Sequence, residues 1–126
     1  MRNGMTRRER EVTDMQEIRN ILDTCMVVRV GMVDGDEPYV VPMNYGYTLD
    51  EGLTIYVHGA MKGYKLDLVR KNPKVFVEMD CDVHPFEGEK ACQYGTSYKS
   101  LMGRGTAENG EDVEEKKKGL SIAVLL

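Results

Sequence analysis

Apolar and polar residues change rhythm several times along this chain, and each change marks an element. In residues 13–25, "TDMQEIRNILDTC", Met15, Ile18, Leu22 and Cys25 recur at helical spacing. Thr13 stands three residues before Gln16, the spacing of a capping box, so the pattern predicts an amphipathic helix. "MVVRVGMV" is β-branched and runs into "DGDEP", a strand followed by a turn. "YVVPMNYGY", residues 39–47, predicts a second strand. Pro42 inside it has no amide to give a ladder, which places an edge, a bulge or a ligand there. The turn "LDEG" leads to a third strand, "LTIYVH". A short helix from about Gly63 to Asn72 is closed by Pro73.

"KVFVEMD" then alternates, with Val75, Val77 and Met79 on one face. Residues 81–96 carry no period and read as a long loop, which in a small domain is more often functional than idle. "SYKSLMGRGTAE" reads as the last strand, where Gly103 and Gly105 permit bending or close approach. From Asp112 the pattern turns helical, with Glu115 as a second cap signal. Five strands with few helices between them predict a mainly β fold, a small antiparallel barrel rather than a doubly wound sheet.

At 126 residues the chain has room for one domain and one modest core. No apolar run approaches the roughly 20 residues that cross a bilayer. The basic start, "MRNGMTRRERE", has no apolar segment behind it and reads as a solvated arm over about residues 1–12. A net charge of −4 argues against general nucleic-acid binding, which needs a basic surface to neutralise phosphates. Cys25, Cys81 and Cys92 form no CxxC pair, so neither a zinc site nor a disulfide framework is expected and a reducing cytoplasm fits.

Chemistry concentrates where the third strand hands over to the second helix. His58, Gly59, Lys62, Gly63 and Lys65 crowd this junction. A helix N-terminus offers free N–H groups and partial positive charge, a natural seat for phosphate, and Lys62 and Lys65 lie one turn apart. Solvated lysines explain the same residues. His58 titrates near neutrality and suits a proton donor or a stacking group; a structural histidine is the plainer reading. His84, beside Pro85, reads as exposed, and the two histidines have no ligand spacing, so no metal site is expected. Around Pro42, extended backbone together with Asn44 offers donors and acceptors to a flat polar heterocycle, although an ordinary edge strand also accounts for it. Cys92, near Lys90, has no histidine partner and reads as inert. No Ser/His/Asp order and no GxGxxG fingerprint is present.

Taken in order, "EPYVVPMNYGY", "LTIYVHGAMKGYKLDLVRKNPKVFVEMD" and "GEKACQYGTSYKSLMGRGTAE" resemble the pyridoxamine 5′-phosphate oxidase-like flavoproteins, and within them the nitroimidazole-resistance branch. The similarity covers about residues 8–118. It implies a split β-barrel with a few short helices, dimerising around FMN held in grooves at the subunit interface. By position, Val41, Pro42, Met43 and Asn44 would run along the isoalloxazine ring. Tyr56, Val57 and His58 would follow the flavin inward, Lys62, Gly63 and Lys65 would hold its phosphate, and Ser100 would lie near the ring. His58 would stand at the reactive region. The implied activity is reduction of small oxidants such as 5-nitroimidazoles by NADH or NADPH. A flavin- or haem-binding sensor or store on the same barrel is the rival reading. Two departures accompany the match. Tyr64 stands where the oxidases carry an arginine, and residues 119–126, "GLSIAVLL", make an atypically short end that leaves barrel closure open. The oxidases' segment for pyridoxal phosphate has no counterpart, which argues against that reaction.

Overall fold

A computed structural model of the chain describes residues 14–57, 64–86, 95–111 and 118–125. Helix α1, Met15–Thr24, begins where the Asp14 carboxylate accepts the Gln16 N–H at 2.9 Å. That bond satisfies one amide the first turn cannot pair and puts negative charge at the positive end of the helix. The cap is therefore Asp14 rather than Thr13, which lies outside the described residues. Ile21, Leu22 and Cys25 are buried and Ile18 packs against them, whereas Met15 stays half exposed at the overhanging start.

Seven strands form one antiparallel sheet. Strands β1 (Val28–Asp34) and β2 (Glu37–Met43) make a hairpin whose turn places Gly35 at φ 68°, the left-handed region that favours glycine. β3 (Gly46–Leu49) and β4 (Leu53–Val57) make a second hairpin. Helix α2 (Tyr64–Lys71) buries Leu66, Leu68 and Val69 and leads to β5 (Lys74–Phe86), β6 (Gly95–Glu111) and β7 (Lys118–Leu125). The order across the sheet is β2-β1-β5-β6-β7-β4-β3. Val28, Val30, Ile55, Val77, Met79 and Ile122 are fully buried on its inner face, each worth about 1.5–3 kcal/mol of apolar transfer.

The two edge strands explain the shape. β2 and β3 stand at opposite ends of the sheet order, yet only Asn44 and Tyr45 separate them in the chain. The sheet must therefore curl until its edges nearly meet. No β2–β3 ladder closes the gap, so the result is a split barrel with its opening at Asn44–Tyr45. Tyr45 fastens this link. Its hydroxyl donates to the Leu22 carbonyl at 2.7 Å, with the Cys25 carbonyl at 3.0 Å and the Met79 sulfur at 3.3 Å also in range.

Three expectations change. The "YVVPMNYGY" strand is two strands, broken at the gap. Residues 81–96 are not one long loop: β5 continues to Phe86 and β6 begins at Gly95, with a register shift between Cys81 and His84. His84, expected in that loop, sits in β5 opposite Ser97. A bulge offsets the two-residue alternation, which is why "CDVHPF" shows no period. The third change is at the far end, where residues 119–125 lie in β7, inserted between β6 and β4, and Leu120, Ile122 and Val124 face the core. The helix expected from Asp112 gives way to this strand from Lys118; residues 112–117 lie outside the described residues. No described helix is long and apolar enough to cross a membrane.

Candidate functional site

The predicted residues fall into three places. Val41, Pro42, Met43 and Asn44 occupy the end of edge strand β2. Val41 and Met43 are half-buried and pack against the core, while Pro42 and Asn44 face out. An edge strand leaves alternate N–H and C=O groups unpaired on its open side, and Pro42 costs no ladder bond there. Tyr56 and Val57 end β4, and Tyr56 lies opposite Gly46, two residues beyond Asn44. The β3–β4 register thus sets Tyr56 across from a residue two positions after Asn44. Tyr56 is exposed and Val57 is buried, so only the former offers its side chain to a ligand.

Lys65 is half-buried in the first turn of α2. That turn is tied to the β1–β2 hairpin: the Tyr64 hydroxyl donates to the Asp34 carboxylate, and the Tyr64 and Tyr39 rings meet edge to face at 5.4 Å. Tyr64 therefore anchors the start of α2, which carries both Lys65 and Asp67, against the β1–β2 hairpin. Backbone donors, an exposed aromatic and a lysine at a helix N-terminus suit a planar, phosphorylated cofactor such as FMN. His58, Lys62 and Gly63 lie outside the described residues. Ser100, on β6 opposite Asp80, is three strands from β2 and does not join this group within one chain.

Sequence reasoning missed a charged cluster next to Ser100. Arg29 on β1 donates from Nη1 to Glu78 Oε1 at 2.8 Å and to Asp80 Oδ2 at 2.9 Å. The signal was present: Glu78 and Asp80 are two apart in a strand and share a face. Burial, followed by the adjacent Asp80, raises the Glu78 carboxyl above its ordinary value, while Arg29 opposes the shift. The folded state therefore binds protons more tightly than the unfolded chain at this group. Its stabilisation is full below the ordinary carboxylate range and is lost as pH rises through the raised value. Glu78→Gln is expected to flatten the fall in urea midpoint between mildly acidic and neutral pH. An unchanged pH profile would remove Glu78 as its source.

These features define a class, a mainly antiparallel split-barrel protein whose sheet stays open between β2 and β3. The pyridoxamine 5′-phosphate oxidase family model matches residues 14–125, and the chain belongs to that pyridoxamine 5′-phosphate oxidase-like family. Among solved structures it is similar to a candidate 5-nitroimidazole antibiotic resistance protein from Bacteroides thetaiotaomicron. The two are 26% identical with a TM-score of 0.73, over 91% of this chain and 82% of the other. An FAD and haem binding protein from Mycobacterium smegmatis shares the fold at 15% identity and TM-score 0.75, over 90% of this chain and 68% of its own. An FAD-binding protein from Mesorhizobium loti does so at 22% identity and TM-score 0.65, over 90% and 91%. No curated protein matches the chain.

Proposed function

We propose that the chain is a cytoplasmic FMN-dependent oxidoreductase that works as a homodimer and reduces small oxidants, 5-nitroimidazoles among them, at the expense of NADH or NADPH. The observation that carries this reading is the family match across residues 14–125. The Bacteroides protein, similar over most of both chains, supports the substrate class. Val41–Asn44 supply backbone partners along the ring, Tyr56 and Val57 flank it, and Lys62, Gly63 and Lys65 neutralise the phosphate. Bound FMN supplies the two-electron redox chemistry, and the protein binds, orients and provides protons.

Exposed apolar residues on the outer sheet face support the homodimer. Val40, Gly31, Phe76, Arg104 and Leu125 lie side by side in register across five strands. Val40 is 63% exposed, Leu125 76%, and Met102 in the neighbouring row 61%. Exposed apolar side chains grouped on one face, even with a glycine and an arginine among them, suit a partner surface. A second subunit would also bring another Ser100 to the opening at Asn44–Tyr45.

The test is the visible spectrum after incubation with FMN and desalting. Retained flavin, together with acceptor-dependent NADH or NADPH consumption, is the expected result; a colourless protein overturns the reading. His58 holds or delivers the proton that accompanies reduction of the acceptor. His58→Ala is expected to keep flavin and slow oxidant turnover by about 10²-fold, the lower end for general acid catalysis. Steady-state rates equal to wild type would take His58 out of the reaction. The Mycobacterium protein, which binds FAD and haem on this fold, favours a second reading, a flavin or haem carrier without turnover. A haem absorption band with no acceptor-dependent oxidation would identify it.

A further inference from the structure

Two of the three cysteines, far apart in the sequence, meet at one cavity in the fold. Cys25 and Cys81 are both free and buried, and both line one open cavity of about 320 Å³ with Thr24, Met26, Val27, Arg29 and Asp80. Cys25 ends α1 in extended backbone, at φ −69° and ψ 146°, and Cys81 stands at the register shift of β5. Tyr45 locks the same neighbourhood, touching the Cys25 carbonyl and the sulfur of Met79, which lies two residues before Cys81 on the same face. β1 and β5 pair from Arg29–Glu78 onward, so the chain just before β1 and the β5 residues just after Glu78 lie side by side at this cavity.

We propose that Cys25 and Cys81 form a redox-active dithiol that closes to an intramolecular disulfide on exchange with a low-molecular-weight disulfide. Disulfide geometry demands a narrow range of Cα separations and torsions; Cys25 follows α1 in extended backbone outside any strand, and Cys81, paired with Lys99, is the last residue of β5 before the register shift. Burial, then the neighbouring Cys81 sulfur, pushes the Cys25 thiol up to about 12, so Cys25 keeps its proton in the resting protein. One sulfur of the small disulfide is attacked by Cys81, whose proton passes to the departing thiolate. Cys25 then attacks the Cys81 sulfur of the mixed disulfide, and its proton passes to the second small thiolate as it leaves. Two protein thiols lose two electrons and two protons, and one small disulfide becomes two thiols. The closed bond ties the end of α1 to β5 beside the Tyr45 anchor.

The full-length protein, as purified, is exposed to oxidised glutathione at mildly alkaline pH, and its remaining thiols are then blocked. Peptide mapping by mass spectrometry is expected to find Cys25 linked to Cys81, reversibly with dithiothreitol, and to lose that preference when oxidation is done in urea. The same treatment of Cys92→Ser leaves only this pair, and the expected result is a loss of two hydrogens with no retained glutathione. Cys25 and Cys81 recovered as blocked thiols from the folded protein, a persistent glutathione adduct, or a bond formed equally well in urea would each overturn the proposal.

Discussion

Replacing Ile122 with alanine is expected to cost about 3 kcal/mol of stability, within the roughly 2–5 kcal/mol that truncating a buried isoleucine removes. Ile122 has no exposed surface and lies in β7 between Ile55 of β4 and Ala107 of β6. Its neighbour Gly105 shows how tightly it is seated, since a Cβ at that position would stand 2.6 Å from Ile122 Cγ2 and 3.1 Å from the Ala123 carbonyl. The glycine is the hollow that receives the isoleucine. Gly105→Ala alone should therefore destabilise by about 1–3 kcal/mol through overpacking. The double substitution should cost less than the sum, because the added methyl partly fills the space that Ile122 vacates. Urea unfolding measures all three, with the midpoint moving and the slope constant. A cost below 1 kcal/mol for Ile122→Ala would mean that β7 is not the central strand described above.

That strand is also where reading the sequence failed most instructively. "LSIAVL", residues 120–125, alternates in burial once paired, but its apolar residues include Leu125 on the outer face, so the alternation is hidden in a nearly continuous apolar run. Only its partners on both sides reveal which residues point inward. Elements with clean alternation were legible: Val75, Val77 and Met79 all reach the core as predicted, and Pro42 does sit in an edge strand. The candidate residues around the seam were nameable one by one, but their arrangement was not. Two residues between opposite edges force the curl that sets Tyr56 near Asn44, and that is a property of strand order. The Arg29–Glu78–Asp80 cluster and the Cys25–Cys81 pair stayed hidden for a related reason. Their members are about 50 residues apart and become neighbours only through β1–β5 pairing and the packing of α1.

The lysines carry the prediction that weighs most on function. Replacing Lys62 and Lys65 together by alanine is expected to weaken FMN binding by about 10²–10⁴-fold. Each charge-assisted contact contributes about 1.5–3 kcal/mol, and about 1.4 kcal/mol is tenfold in affinity. Lys65 stands in the first turn of α2, the end of a helix whose amides lack intrahelical partners, and Tyr64 holds that turn against Asp34 and Tyr39. Asp67, the acidic residue of the same turn, pairs with Arg70 at 3.6 Å, which draws its charge away from an incoming phosphate. Riboflavin has the ring without the phosphate, so wild type and the double variant should bind it alike, and salt should weaken FMN more than riboflavin. Flavin fluorescence titration reads both ligands in one protein. Equal losses for FMN and riboflavin would mean that the substitutions disturb the helix rather than a phosphate seat, and the placement of the cofactor's charged end would then have to move away from α2.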